Sequence, residues 1–129
     1  MARTAITLHT LAPNSSITAP SGDTADQTNG MNLALPSTAL PASAGAQNLF
    51  FIVNNTAGTT KAVTIDAGVN PPALRSGEGA LSVSIATTAT AWIGPLESAR
   101  FAQADGSINV DFASGFTGTI IAAVLPPRF

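Results

Sequence analysis

The sequence contains no cysteine, which excludes disulfides and thiolate metal sites, so whatever stability the chain has comes from packing and hydrogen bonding. Histidine is nearly absent too. His9 stands alone, and a histidine-dependent nucleophilic triad would have to combine it with a serine or threonine and an acid. No Gly-x-Ser-x-Gly nucleophile elbow occurs. A zinc site would have to lean on carboxylates, an improbable donor set. Charge is scarce as well. Only 9 % of residues are charged, against about 25 % in an ordinary soluble domain. The five basic residues, Arg3, Lys61, Arg75, Arg100 and Arg128, are scattered, which leaves no stripe to neutralise phosphates and argues against a nucleic-acid partner. The longest apolar run, Ile120 to Leu125, is far too short to span a bilayer. The N-terminus has no apolar stretch behind Arg3, unlike a secretory signal. The chain therefore reads as one made and kept in soluble form, with no membrane partner.

What is present is β-forming. Nine prolines and eleven glycines punctuate the 129 residues, and the windows between them alternate with period two rather than showing a helical stripe. Residues 4–11, 31–35, 48–54, 61–67, 80–86, 97–104, 107–112 and 116–125 read as strands. The segment 48–54 is apolar on both faces, as a central strand would be, and 48–67 reads as a hairpin. Asp105-Gly106 predicts a two-residue turn between 97–104 and 107–112. Phe50, Ile52, Val63, Ile65, Val83, Ile85, Phe101, Val110 and Ile121 are the expected core. The fold class predicted is all-β: an antiparallel two-sheet β-sandwich of jelly-roll type, with an N-terminal arm or long loop. One domain is expected overall, residues 1–30 forming a terminal strand plus polar segment and residues 31–129 the sandwich. Between Ala12 and Gly30 little is available to bury, and the segment reads either as a loop crossing the sandwich or as an arm.

The search for chemistry returns little. Asp105, Ser107, Asn109 and Asp111 recur at alternate positions as in calcium loops, but the glycine is misplaced and the bidentate Glu is missing. In a strand the same spacing puts Ser107, Asn109 and Asp111 on the solvent face and Ile108, Val110 and Phe112 inward. Asp23 and Asp26 belong to the polar segment; Asp66 and Glu97 read as surface residues at strand ends. Gly77-Glu78-Gly79 lacks the Lys-Ser or Lys-Thr of a phosphate loop and reads as a turn. Trp92 reads as an inter-sheet plug, with a sugar-stacking platform as the alternative. No catalytic residue, cofactor or metal is expected, and the chain reads as a non-enzyme.

One stretch runs from Trp92-Ile93-Gly94-Pro95-Leu96-Glu97-Ser98-Ala99-Arg100-Phe101 through Gln103-Ala104-Asp105-Gly106-Ser107 to Asp111-Phe112. Together with Val63-Thr64-Ile65-x-Ala67-Gly68-x-Asn70-Pro71-Pro72-Ala73 and Thr28-Asn29-Gly30, it resembles the small head-decoration (capsid cement) proteins of tailed bacteriophages, across essentially the whole chain. That resemblance implies a viral structural protein, synthesised in the host cytoplasm and located on the outer capsid surface of the virion. Its partner would be a major capsid protein of HK97 fold, and it would sit as a trimer at three-fold positions and stabilise the capsid by bridging neighbouring coat subunits. Arg3, Ile6, Leu8, His9 and Leu11, on a terminal strand able to add to a partner's sheet, are the expected protein interface. A carbohydrate-binding or adhesin module, with Trp92 as its platform, is the alternative reading.

Overall fold

A computed structural model describes residues 2–11, 14–34, 49–68, 79–96 and 98–125. Residues 35 and 48, at the ends of two expected strands, Gly77-Glu78 of the expected turn, and Glu97 lie outside these residues. The described chain is all-β: β1 (Thr4–Ala5), β2 (Leu8–Thr10), β3 (Asp23–Thr24), β4 (Met31–Leu33), β5 (Leu49–Asn55), β6 (Lys61–Ile65), β7 (Leu81–Ile85), β8 (Thr90–Ile93), the helical turn α1 (Ser98–Phe101), β9 (Ile108–Phe112) and β10 (Gly118–Val124). The strands form two sheets packed as a sandwich. The first has the order β1-β4-β9-β6-β7 and the second β2-β10-β5-β8, with β3 also on β10.

Each strand's alternation decides which face it buries. Leu49, Phe51 and Val53 of β5, Val63 and Ile65 of β6, Ile108 and Val110 of β9, and Ile120, Ala122 and Val124 of β10 point between the sheets and are fully or nearly fully buried. Met31, Leu33, Phe101, Phe112 and Phe116 complete this core. Phe112 and Phe116 pack with ring centroids 4.8 Å apart. Side chains of this size are what drive collapse; burying each is worth about 1.5–3 kcal/mol.

Three expectations are corrected. The sheets are mixed rather than purely antiparallel, because β1 runs parallel to β4 and β2 parallel to β10. Segment 48–67 is not a hairpin: β5 and β6 lie in different sheets, and the chain turns a corner between them. Asn55 holds that corner from a fully buried position. Its Nδ2 donates to the carbonyls of Thr59 (3.1 Å) and Ile85 (2.9 Å), and its Oδ1 accepts from the Ala57 N–H (2.9 Å). The third correction is at 97–104, where the strand is replaced by the single helical turn α1, leaving only a bridge from Ala102 to Ile108. The segment is rich in Ala, Arg, Glu and Gln and has no β-branched residue, so local preference there favours helix.

The N-terminal segment changes sheets as it runs. Thr4 N–H donates to Gly30 O and Ile6 N–H to Asn32 O, both at 3.0 Å; Leu11 N–H then reaches Val124 O on the other sheet at 3.0 Å. Ile6, at the crossing, is buried in the core. Asp23 holds the crossing by accepting from Thr7 N–H (2.7 Å) and Thr7 Oγ1 (3.2 Å). Asp26 accepts from Thr4 Oγ1 and from the N–H groups of Thr28 and Asn29. These contacts tie the polar segment to both sheets.

Candidate interaction surface

The outward face of the second sheet carries side chains that an ordinary exposed sheet would not. Register places Ile121 beside Ile52 and Ile52 beside Trp92, while the next row holds Ala123 beside Phe50 and His9 beside Ala123. The row on the other side is Thr119, Asn54 and Thr90, so polarity falls along the face toward Phe50. Phe50 and Trp92 are diagonal neighbours on paired strands, within reach for large rings. Their rings stack 5.7 Å apart with only 9° between planes. Trp92 is nevertheless 74 % exposed. The inter-sheet plug expected at this position is therefore corrected: residue parity on β8 turns Ile93 inward and Trp92 out. Phe50, Ile52 and Ile121, expected in the core, are likewise half-buried on this outer face.

Beside Trp92 lies a groove of about 410 Å³ lined by Leu11, Phe50, Trp92, Ile93, Gly94, Pro95 and Leu125. Among the described residues, the only polar side-chain group in its lining is the Trp92 indole N–H. Leu125 is 41 % exposed. Gly94 permits the groove's rim. Its φ of +132° is unsuited to other residues, and a Cβ there would come within 3.0 Å of Leu49 O and Phe50 Cβ. The Leu96 N–H reaches the same Leu49 carbonyl at 3.0 Å, so the chain crosses over the start of β5 with no room to spare.

Of the five residues expected at an interface, Leu11 lines the groove and His9 occupies the neighbouring row on the same face. Ile6 is in the core, and Leu8 packs against it. Arg3 lies between two carboxylates: its NH1 is 2.7 Å from Asp111 Oδ1, and its NH2 is 3.3 Å from Asp66 Oδ2. Burial pushes Asp66 up to about 6, helped by the hydrogen bond and negative charge of Asp111 and opposed by Arg3. Burial disfavours ionisation of Asp111 as well, yet hydrogen bonds from Arg3 and Asp66, with the Arg3 charge, hold it below the ordinary carboxylate value. The pair thus prefers one proton between its two members in mild acid. Phe50, Pro95 and Leu125 are not legible as site residues in the sequence, and Trp92 is legible only as the platform of the sugar-binding alternative. The available signal was β5, whose apolar residues on both faces fit a one-sided core with a sticky outer face as well as a strand buried twice.

The calcium-like run is structural. Asp105 Oδ1 accepts from Ser107 N–H (3.0 Å) and Oγ (2.5 Å), while Asn32 Nδ2 donates to Ser107 Oγ (2.9 Å) and Asn109 Oδ1 (2.7 Å). Ser107 is buried, correcting its expected place on the solvent face; Ile108, Val110 and Phe112 point inward as expected. Among the described residues no group of three or more His, Asp or Glu side chains is placed to hold a metal. No described helix is long and apolar enough to cross a membrane.

No family model, curated protein or solved structure matches the chain. The surface chemistry must therefore speak for itself. An apolar groove with an exposed, stacked tryptophan suits a protein surface that supplies matching apolar side chains, because aromatic anchors dominate such contacts.

Proposed function

We propose that this protein is a non-enzymatic virion structural protein that decorates the outer surface of an HK97-fold capsid and stabilises it by bridging neighbouring coat subunits. The virion setting and the trimer at capsid three-folds belong to this proposal and rest on the likeness to phage cement proteins; the jelly-roll type belongs to it too and rests on the spacing of the strands. The contact surface rests on one observation, the groove around exposed Trp92, whose described lining is apolar but for the indole N–H. A tryptophan held flat against Phe50 loses little conformational freedom on docking, and apolar walls release ordered water when covered. Capsid bridging would repeat a modest contact at every site of the shell, so the sum is large although each bond is not.

The test is co-sedimentation of the purified protein with empty heads of the same phage's coat protein. Wild type should bind and raise the temperature at which heads disrupt. Trp92→Ala should keep its fold, being a surface change, yet bind at least about 30-fold more weakly, the loss of a 2 kcal/mol anchor. Equal binding by both would place the contact elsewhere, and absence of binding by wild type would remove the capsid reading.

The sugar-binding alternative gains from the exposure of Trp92. It loses because a saccharide needs polar groups around its stacking platform, and among the described residues the groove offers none beyond the Trp92 indole N–H itself. Oligosaccharide binding that Trp92→Ala abolishes would reverse the preference.

A further inference from the structure

The first sheet ends in β7 (Leu81–Ile85), the longest edge strand among the described residues. Edge strands of stable monomers are usually guarded by a charge, a proline, a bulge or a covering segment. Nothing charged occurs between Gly79 and Leu96, and β7 itself, Leu-Ser-Val-Ser-Ile, contains neither proline nor lysine. Its ladder with β6 is regular over five residue pairs, so no bulge twists it away.

The hydrogen-bonding direction of each β7 residue follows from its neighbours. Asp66 N–H donates to Asn109 O (3.0 Å) and Ala113 N–H to Ala62 O (2.9 Å). Residues 62, 64 and 66 therefore present their backbone groups to β9, and 61, 63 and 65 present theirs to β7, because the direction alternates along a strand. The partners of 61, 63 and 65 are Ile85, Val83 and Leu81, which must point back at β6. Ser82 and Ser84 are left with N–H and C=O directed away from β6, at an edge that no other described strand pairs with, and both residues are exposed.

We propose that this edge pairs with the β7 edge of a second copy, antiparallel and in register about Val83, to form one continuous sheet across a two-fold axis. In that register Ser82 faces the partner's Ser84 and the two exchange both backbone bonds, twice by symmetry, while Val83 faces Val83 in the narrow pair. Leu81 lies opposite Ile85 on the core side, and hydroxyl lies opposite hydroxyl on the other. An isologous contact sets every residue near its own strand's copy, so any charge would meet its like. This strand has none. The edge strand β8, also uncharged, does not share the property: reversed about Ala91 it sets Thr90 against Trp92, and Gly94-Pro95 ends it. A two-fold contact also differs from the three-fold contact implied by the resemblance, and a shell surface accommodates both by linking adjacent three-fold clusters.

One five-residue edge covers far less than the roughly 800 Å² per partner of a standard interface, so the dimer should be weak in solution, with half-association on the order of 100 µM or above. The experiment is sedimentation equilibrium over a wide concentration range on wild type, Ser84→Pro, Ser84→Lys and Trp92→Ala. Proline at 84 removes an outward N–H without touching the β6 ladder, a placement edge strands tolerate. Wild type and Trp92→Ala should associate alike, and both Ser84 variants should associate at least tenfold more weakly while melting within a few degrees of wild type. Amide exchange gives a second readout that needs no variant: the N–H groups of Ser82 and Ser84 should gain protection as concentration rises. A wild type that stays monomeric at millimolar concentration overturns the proposal, as do Ser84 variants that associate like wild type. So does association lost on Trp92→Ala but not on Ser84→Pro, which would seat the second copy in the groove.

Discussion

Three side chains carry most of the argument at the scale of single residues. Asn55 is a polar group in the core, and it is satisfied on both its donor and acceptor sides. Replacing it with alanine strands several buried backbone groups, and Asn55→Ala should cost about 2–4 kcal/mol in urea denaturation. Asp66 supplies a pH dependence with a definite sign. Its pKa rises from 3.8 to about 6 on folding, so the folded chain keeps a proton that the unfolded chain gives up near pH 4. The stability from that proton is complete below about pH 4 and is lost as pH rises through about 6. Thermal melts of wild type and Asp66→Asn between pH 4 and 7 should converge in acid and separate toward neutrality, with Asp66→Asn the more stable at pH 7. Parallel curves would mean that Asp66 ionises as it does in the unfolded chain. Trp92 is the third. From sequence alone it reads as a plug because large aromatics are mostly buried, and only the register of β8 against β5 reveals that Ile93, not Trp92, faces the core.

Elements show why part of the architecture could be read and part could not. β6, β7 and β9 alternate apolar with polar residues, and their inward sets, Val63 with Ile65 and Ile108 with Val110, follow directly from that period. β5 does not alternate. Leu49, Phe50, Phe51, Ile52 and Val53 give no local sign of which face is inside, and the answer depends on strands far away in sequence. The same limit hides the candidate groove, whose walls come from β5, β8 with the two residues that follow it, and the residues just after β2 and β10. The corner at Asn55 reads as a hairpin in the sequence because turn chemistry shows that the chain reverses, not which sheet receives it. β10 provides a test at this scale. Gly118 has φ +141°, and a Cβ there would overlap the Asn54 carbonyl on the strand it pairs with. Gly118→Ala should destabilise by more than about 2 kcal/mol, because backbone conformation and strand spacing are both violated. A neutral Gly118→Ala would contradict this register of β5 and β10.

For the whole molecule, sparse charge, a core made without staples and the uncharged edge strands β7 and β8 describe a protein with little to hold others away. Its net charge of −2 gives weak electrostatic repulsion between copies. On the proposed reading, the Trp92 face is the surface that a partner covers. Trp92 is the sole tryptophan, so incorporation of 5-hydroxytryptophan labels this one position, and it can be excited beyond the absorption of any tryptophan in the coat protein. Acrylamide quenching of that label, measured free and then on saturated heads, tests the claim most directly. Burial of the groove predicts strong quenching in solution that falls several-fold on the heads. A protein that sediments with heads while its label is quenched as before would contradict the account.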